Sequence, residues 1–444
     1  MIDASPLDRI AQRERLLLII AGAFVSLNRI GLTLARQENW LSLWPLVIWI
    51  GCASAMHLAL NRLLPRRDPL IAPVVMLLAG WGLTLVARLA PVFAARQAIW
   101  LAIATAGGLT MCLLRPGLRV LQRYRYTWLF VGLLLLAATL LVGVNPSGDP
   151  FAPRLWLGFA GVFFQPSEAL KIVLIVFLAS YLAEKRDLIV TAQSQLGRWL
   201  LPPLPYLAPM VLMWGFCMVL LIWQRDLGGA SLFFLVFLAM LYASTGKGSY
   251  LVTGLVLLGA AGVIGYQLFG VVRLRVDTWW NPWPEANSRA FQIVQSLLAV
   301  AAGGLIGQGV GLGAPTYVPV VHSDFAFAAI AEEWGAIGAL GAVLCQAILV
   351  LRAMRIAVQN EQRPFRSLLA AGIGILLGTQ SLLITAGVLK VIPLTGVTLP
   401  FVSYGGSSLL SSFVLVGLLL RISDPESQPH FRWLKRAPLA DFAP

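Results

Sequence analysis

Charge is scarce in this sequence. Asp, Glu, Lys and Arg make up 12% of its 444 residues, against 59% hydrophobic residues. A soluble domain typically carries about 25% charged residues. The chain therefore cannot cover a globular surface with polar groups, and it reads as an integral membrane protein. Acidic residues are the scarcer sign, 19 against 33 basic, which leaves a net charge of +14. Even so, no basic run is long enough for a nucleic-acid patch. Lys and Arg fall in small groups between apolar stretches, the spread that the positive-inside rule produces, so nucleic acid is excluded as a partner. The four cysteines, Cys52, Cys112, Cys217 and Cys345, lie in apolar stretches with neither metal-ligand spacing nor a disulfide framework. They read as small buried hydrophobes. Strand-type alternation is missing, which excludes a transmembrane barrel. No cleavable leader is expected, because the first apolar run is long and continues into Asn28 and Arg29 instead of a small-residue cleavage site.

What the sequence has in abundance is long apolar runs. A spanning helix needs about 20 mostly apolar residues. Twelve runs qualify, near 16–35, 42–61, 70–88, 97–114, 127–144, 165–183, 206–222, 228–244, 250–270, 326–351, 367–389 and 402–421. With the N-terminus in the cytoplasm, roughly two-thirds of the 33 basic residues fall on the inner side, among them Arg62, Arg66, Arg67, Arg115, Arg119, Arg123, Arg125, Arg198, Arg363, Arg366, Arg432, Lys435 and Arg436. Both termini are then predicted cytoplasmic. Three segments too polar or irregular for plain linkers, 145–168, 271–325 and 390–408, all follow odd-numbered spans and face outside, as does Gln224-Arg225-Asp226. An outward-facing site is expected.

Several groups there could carry chemistry. Asp324 sits at the mouth of the tenth span with apolar neighbours, where partial desolvation would raise its pKa toward that of a general base. The alternative is that Asp324 caps the following helix. Glu332 and Glu333, two turns on, read as partners for basic residues of neighbouring helices. Glu168 and Lys171 are three apart on one helix face and can pair. With Arg154 in the preceding segment they would suit a pyrophosphate, or they simply hold the bundle together. Arg225 and Asp226 allow the same two readings. Trp279, Trp280 and Trp283 read as an interfacial belt. The glycine run 303–313 is not a nucleotide loop, because no strand precedes it and no Gly-Lys-Ser/Thr closes it. In Lys390–Ser408, two prolines, three glycines and several hydroxyls break helix at membrane depth. Such backbone persists only where it lines a cavity or packs inside protein.

Four of these stretches resemble the motifs of the SEDS family (shape, elongation, division and sporulation), the RodA/FtsW type. They are Pro393-Leu-Thr-Gly-Val-Thr-Leu-Pro-Phe-Val-Ser-Tyr-Gly-Gly-Ser-Ser408, Phe164-Gln-Pro-Ser-Glu-Ala-Leu-Lys-Ile172, Trp223-Gln-Arg-Asp-Leu-Gly-Gly-Ala230, and His322-Ser-Asp-Phe-Ala-Phe327 with Ala331-Glu-Glu333. The resemblance spans about residues 70–422. It implies an all-α polytopic membrane protein with a ten-helix core, here carrying about two extra N-terminal transmembrane helices. It also implies a peptidoglycan glycosyltransferase of cell elongation or division that polymerises lipid II and releases undecaprenyl diphosphate. The implied partners are a class B penicillin-binding protein and membrane lipid. Residue by residue, it implies Asp324 as catalytic carboxylate, with Arg154, Glu168, Lys171, Gln224, Asp226, His322, Ser403, Tyr404, Gly405 and Gly406 at the substrate. Arg225 stands where the family usually has proline, and Ser323 where it usually has threonine. Neither change removes a functional group.

The implied reaction joins a sugar hydroxyl to a donor with a pyrophosphate leaving group. It needs a base at the hydroxyl and positive charge at the pyrophosphate, the latter from Arg154 and Lys171, with Lys390 or Arg225 as further candidates. An α-linked donor giving a β-linked strand requires inversion and no covalent intermediate. A divalent cation, Mg or Mn, could assist, but no ligand spacing demands one. The rival readings are a flippase of the lipid-linked precursor and a non-catalytic scaffold of the cell-wall complex. The organisation expected is an extension over 1–64, a catalytic core over 65–422 with the large loop 271–325, and a cytoplasmic tail over 423–444, in a bacterial plasma membrane. Asn28, Arg29 and His57 show no paired arrangement in the sequence, so the extension is expected to be dispensable for chemistry.

Overall fold

The computed structural model describes residues 6–113, 117–146, 153–159, 161–191, 194–196, 199–201 and 204–425. Arg115, Arg198 and nearly all of the expected tail, with Arg432, Lys435 and Arg436, lie outside the described residues.

The chain is a helical bundle. Its long helices are α1 (Pro6–Ala35), α2 (Trp44–Leu63), α3 (Ile71–Leu89), α4 (Pro91–Leu113), α6 (Arg125–Val142), α7 (Pro166–Thr191), α8 (Leu204–Trp223), α9 (Leu227–Thr245), α10 (Gly248–Leu268), α13 (Ala326–Gln359), α14 (Pro364–Val388) and α15 (Gly406–Ser423). Shorter helices are α5 (Gly117–Arg123), α11 (Gly270–Trp280) and α12 (Phe291–Gly303). Each of the twelve expected runs has its helix. Among the described residues, 11 helices are long and apolar enough to cross a membrane, and α8 contributes a shorter apolar stretch. The last span starts at Gly406 instead of 402, because residues 399–405 stay irregular. Two small antiparallel hairpins, β1–β2 (Leu157–Phe159 with Val162–Phe164) and β3–β4 (Ser194–Leu196 with Trp199–Leu201), were not legible in the sequence.

Close helix approach depends on small residues, which let backbones meet in lipid. A Cβ on Gly417 of α15 would collide with the carbonyl oxygen of Gly108 on α4, and one on Gly108 would meet Phe413 O at 2.8 Å. The glycine run has the same explanation. A Cβ on Gly303 would strike the carbonyl of Ala331, and one on Gly307 that of Glu333. The run folds against α13 where that helix breaks at Gly335 (φ 67°, ψ −168°). Gln308 N and Gly309 N donate to the carbonyls of Glu332 and Glu333 at 2.9 and 3.0 Å, and Ala336 N donates to Gly304 O at 2.9 Å. Backbone groups freed by the break are thus satisfied by the loop, as a membrane setting requires.

Glu332 and Glu333 serve this junction. Arg88 Nε donates to Glu333 Oε1 at 3.0 Å and Arg88 Nη2 to Gly313 O at 2.8 Å. The expected partner for Glu332 is a cation; instead its Oε1 accepts from the backbone N–H of Ala314 at 2.7 Å. The loop's free amide, closer than any cation, takes the carboxylate.

The first two helices are also built in, contrary to the reading of their polar residues. Arg67 is buried and donates through Nε to Glu14 Oε2 at 2.7 Å and through Nη2 to Glu14 Oε1 at 2.6 Å and Asn61 Oδ1 at 2.7 Å. His57 Nδ1 lies 2.7 Å from Glu14 Oε1. Arg29 donates to Ser42 O at 2.5 Å, and Asn28 Oδ1 accepts from Trp334 Nε1 at 2.8 Å. Apart from Asn61, six positions from Arg67, these partners lie 13 to 306 positions away in the chain, beyond the reach of local spacing.

Candidate active site

The irregular segments converge at one end of the bundle. Asp324 lies in the turn before α13. Its backbone N–H closes onto Val320 O at 3.3 Å, and Val320 takes a left-handed φ of 55°. The residue capping α13 is Phe325, with no side-chain hydrogen bond to the helix, so Asp324 does not spend its carboxylate on capping. Its Oδ1 instead accepts from Ser323 Oγ at 2.8 Å. Burial among apolar neighbours pushes the Asp324 pKa up to about 6, against the lowering effects of the Ser323 hydroxyl and the charge of Arg275.

The turn is held by the 399–404 segment. Ser403 Oγ donates to Ser323 O at 2.5 Å and accepts from Leu399 N at 3.0 Å. Tyr404 N donates to His322 O at 2.8 Å. The His322 and Tyr404 rings pack on Phe93 with centroids 5.3 and 4.7 Å away. Burial lowers the His322 pKa, which favours the neutral imidazole. Gly406 opens α15 against Trp100, whose indole occupies the space a Cβ would need, and Gly405 O accepts the first helical bond, from Leu409 N at 2.9 Å. His322, Ser403, Tyr404, Gly405 and Gly406 thus shape the ground on which Asp324 stands.

Next to Asp324 is a cavity of about 60 Å³ lined by Glu168, Lys171, Asp226, Gln380, Gly396 and Thr398, among others. Glu168 and Lys171 form the expected pair, Oε2 to Nζ at 2.5 Å. Lys171 Nζ also donates to Gln380 Oε1 at 3.2 Å, and Glu168 Oε2 accepts from Ser411 Oγ at 3.0 Å. Gln380 Nε2 donates to Thr398 O at 2.7 Å, and Thr398 Oγ1 lies 2.8 Å from Ser408 Oγ. Asp226 caps α9 by accepting from Gly229 N at 2.8 Å. Its pKa is raised, chiefly by burial, against the Gly229 N–H.

Other expected residues lie apart from this cavity. Gln224 turns toward α6, donating to Leu136 O at 2.7 Å and Thr139 Oγ1 at 2.9 Å. Arg154 is exposed before β1, and among the described residues no ion pair joins it to Glu168, whose partner is Lys171. Arg225 is exposed in a left-handed turn at φ 61°, without the local bridge to Asp226 that its neighbourhood suggested. Lys390 offers its carbonyl to Trp279 Nε1 at 3.1 Å. Trp280 and Trp283 are exposed.

Arg275, which nothing in the sequence singled out, joins this group. It projects from α11 and donates to Thr395 O at 3.2 Å. Its charge acts on both Asp226 and Asp324, and burial lowers its own pKa. Gln380 was missed too, although a lone amide inside an apolar span is itself a site signal. Among the described residues no three His, Cys, Asp or Glu side chains gather in metal-ligating geometry.

A bundle of membrane-crossing helices with a half-buried carboxylate and two cations gathered at one end defines a polytopic membrane enzyme. The cell cycle protein family model covering FtsW, RodA and SpoVE matches residues 70–428, and the chain belongs to this family. It is a peptidoglycan glycosyltransferase of the SEDS type. The chain is 35% identical to the peptidoglycan glycosyltransferase RodA of Mycobacterium leprae, over 94% of this chain and 91% of that one. It is 33% identical to a probable peptidoglycan glycosyltransferase FtsW of Geobacter sulfurreducens, over 83% and 98%. Among solved structures, one chain of a peptidoglycan synthase complex that couples polymerization and crosslinking superposes with a TM-score of 0.65, at 27% identity over 81% of this chain and 98% of that one. Thermus thermophilus rod shape determining protein RodA superposes with a TM-score of 0.58, at 25% identity over 82% and 98%.

Proposed function

We propose that this chain polymerises lipid II on the outer face of the cytoplasmic membrane, with Asp324 as the general base. The observation that carries the reading is the state of Asp324. It is a half-buried carboxylate with a pKa near 6 that does not cap its helix and sits between Arg275 and the Lys171 cavity. A base with that pKa is largely ionised at neutral pH yet still proton-accepting in a transition state, a role typically worth about 10²–10⁴-fold. In the reaction, Asp324 takes the proton of the acceptor sugar hydroxyl as its oxygen bonds to the donor's anomeric carbon. The bond from that carbon to the pyrophosphate breaks, and undecaprenyl diphosphate leaves. Lys171 and Arg275 place positive charge where the leaving group gains negative charge, and exposed Arg154 meets the pyrophosphate at the rim.

The remaining features follow the same reading. Residues 1–64 form an extension and 65–422 the catalytic core. Both termini lie in the cytoplasm, and the partner is a class B penicillin-binding protein, a pairing that the likeness to a chain of a peptidoglycan synthase complex supports. The test is the purified full chain with lipid-linked disaccharide-pentapeptide, read out as glycan polymer. The wild type should make polymer and Asp324→Asn, folded and inserted, should not. Full polymer from the variant would remove Asp324 from the mechanism. Absence of polymer from every preparation, with the lipid moved across the bilayer instead, would turn the reading to a flippase.

A further inference from the structure

A second cavity lies away from Asp324. It encloses about 430 Å³ at the opposite end of the bundle, between α5, the last turns of α7 and the start of α14. Helix α14 joins the two regions: Phe365 and Arg366 line this cavity, and Gln380, 14 residues beyond Arg366, lines the one next to Asp324.

Its walls are basic. Arg119 comes from α5, Arg363 caps the start of α14 and Arg366 lies in its first turn, while Glu184 is the acid among the lining residues. Glu184 is already taken, bonded to Arg125 and 3.1 Å from Lys185 Nζ. Arg366 Nη1 is buried with no hydrogen-bond partner. Around it stand the like charges of Arg363, Arg421 and Arg119. A topology signal alone needs Lys and Arg in solvated loops. It does not require three guanidinium groups to converge on a cavity, with one of their N–H groups left dry. Such an arrangement is repulsive when empty and favourable around an anion, above all one that accepts several charge-assisted bonds from planar guanidinium groups. Phe365 and Leu118 line the cavity, and Val120 of α5 and Tyr124 just after it are exposed, so apolar surface continues outward from the basic walls.

We propose that this cavity is a phosphate-binding site that takes the headgroup of an anionic phospholipid from the leaflet opposite Asp324, with Arg119, Arg363 and Arg366 holding the phosphate and the α5 flank meeting the acyl chains. Occupation ties α5, α7 and α14 together at the end remote from the chemistry.

The test uses the full chain in nanodiscs of phosphatidylcholine with increasing phosphatidylglycerol, followed by thermal melting and by native mass spectrometry of retained lipid. Phosphatidylglycerol should raise the melting temperature and remain bound, and each of Arg366→Gln, Arg363→Gln and Arg119→Gln should weaken its apparent affinity by about tenfold or more. Arg62→Gln, an exposed basic residue away from the cavity, should leave it unchanged. Arg119 and Arg363 are exposed, so their variants remain informative if Arg366→Gln folds poorly. Titration with inorganic phosphate in phosphatidylcholine discs separates the sources, and it should stabilise far less than the lipid. Equal stabilisation by free phosphate would overturn the lipid assignment. An equal phosphatidylglycerol effect in wild type and all three cavity variants would overturn the site.

Discussion

Asp324 and Arg275 meet on one side of Gly396. A Cβ placed on that glycine would lie 3.7 Å from Asp324 Oδ2 and 4.0 Å from Arg275 Nη2. Gly396 also takes a left-handed φ of 75°, so the position favours glycine twice over, by backbone and by space. The bare backbone there leaves a gap between base and cation, bordered by the Lys171 cavity. A side chain at 396 would fill the gap that the proposed mechanism leaves for the reacting groups.

This relationship fixes a pH dependence. In the proposed mechanism Asp324 acts as a base only when ionised, so kcat/KM should fall about tenfold per unit below pH 6 and level off above it. Arg275 lowers the Asp324 pKa, so Arg275→Gln should move the acid limb to higher pH in addition to slowing the reaction. A limb that stays in place in Arg275→Gln would show that the two charges do not communicate. Stability should respond in the opposite sense. The folded pKa of about 6 exceeds the ordinary 3.8, so the protonated carboxyl favours the fold. That contribution is complete below the unfolded value and is lost as pH rises through 6.

Glu168→Gln should act on stability first. It leaves Lys171 buried without its counter-charge and weakens the Ser411 bond. Breaking a buried pair by removing one partner typically costs about 3–5 kcal/mol. Melting of the variant in detergent checks this, and a melting temperature equal to wild type would show that Gln380 alone satisfies the lysine.

Arg154 should behave in the reverse way. Its side chain is exposed, so Arg154→Ala should melt like the wild type. If the guanidinium meets the pyrophosphate, the variant should lose roughly ten- to a hundred-fold in kcat/KM, the usual effect of one charge-assisted bond. Arg154→Lys should recover only part, because a point charge lacks the bidentate fork. Unchanged rates in Arg154→Ala would remove it from the site.

Arg186 tests the orientation. It stands near the end of α7 remote from Glu168, donating to Ser244 O at 2.8 Å. With the four native cysteines, of which Cys345 is partly exposed, replaced by serine or alanine, Arg186→Cys should resist membrane-impermeant maleimide in intact cells and react after permeabilisation. Labelling in intact cells would invert the topology and place Asp324 in the cytoplasm.

The sequence made the spans legible because a membrane demands about 20 apolar residues in a row, a signal that needs no tertiary contact. Asp324, Asp226, Glu168 and Lys171 were legible for a related reason, since a charge at the edge of such a run stands out. Arg275 was not. It belongs to α11, whose neighbour Arg273 bonds instead to the carbonyls of Tyr266 and Gln267. Only the way α11 lies over 390–408 decides which of the two enters the site. The break at Gly335 was hidden likewise, because the loop that satisfies it lies 26 to 31 residues upstream. Gln224 shows the converse: it lies in a motif beside Asp226, yet its amide bonds to α6.

The first two helices carry the largest departure from what local spacing suggests, and their removal should separate two effects. Identity to the mycobacterial relative covers 94% of the chain, which takes it into these helices, while the family model begins at residue 70. One tie is remote from the site. Arg67 loses Glu14, Asn61 and the Leu64 carbonyl when residues 1–64 are deleted, leaving a buried guanidinium without a counter-charge. The other tie is close to the chemistry. Asn28 holds Trp334, the residue before the break at Gly335, and Leu32 and Ala35 lie 3.1 and 3.4 Å from where a Cβ on Gly311 would stand. These contacts press on the same loop and broken helix that lead into Asp324. Glu14→Gln should therefore lower the melting temperature sharply, by the equivalent of about 3–5 kcal/mol, with the rate per folded molecule retained. Asn28→Leu should melt only slightly early, yet slow polymerisation several-fold by loosening Trp334. The deletion should show both losses. If the truncated protein melts and polymerises like the full chain, the extension is a passenger and the contacts through Trp334 and Gly311 have no bearing on the site.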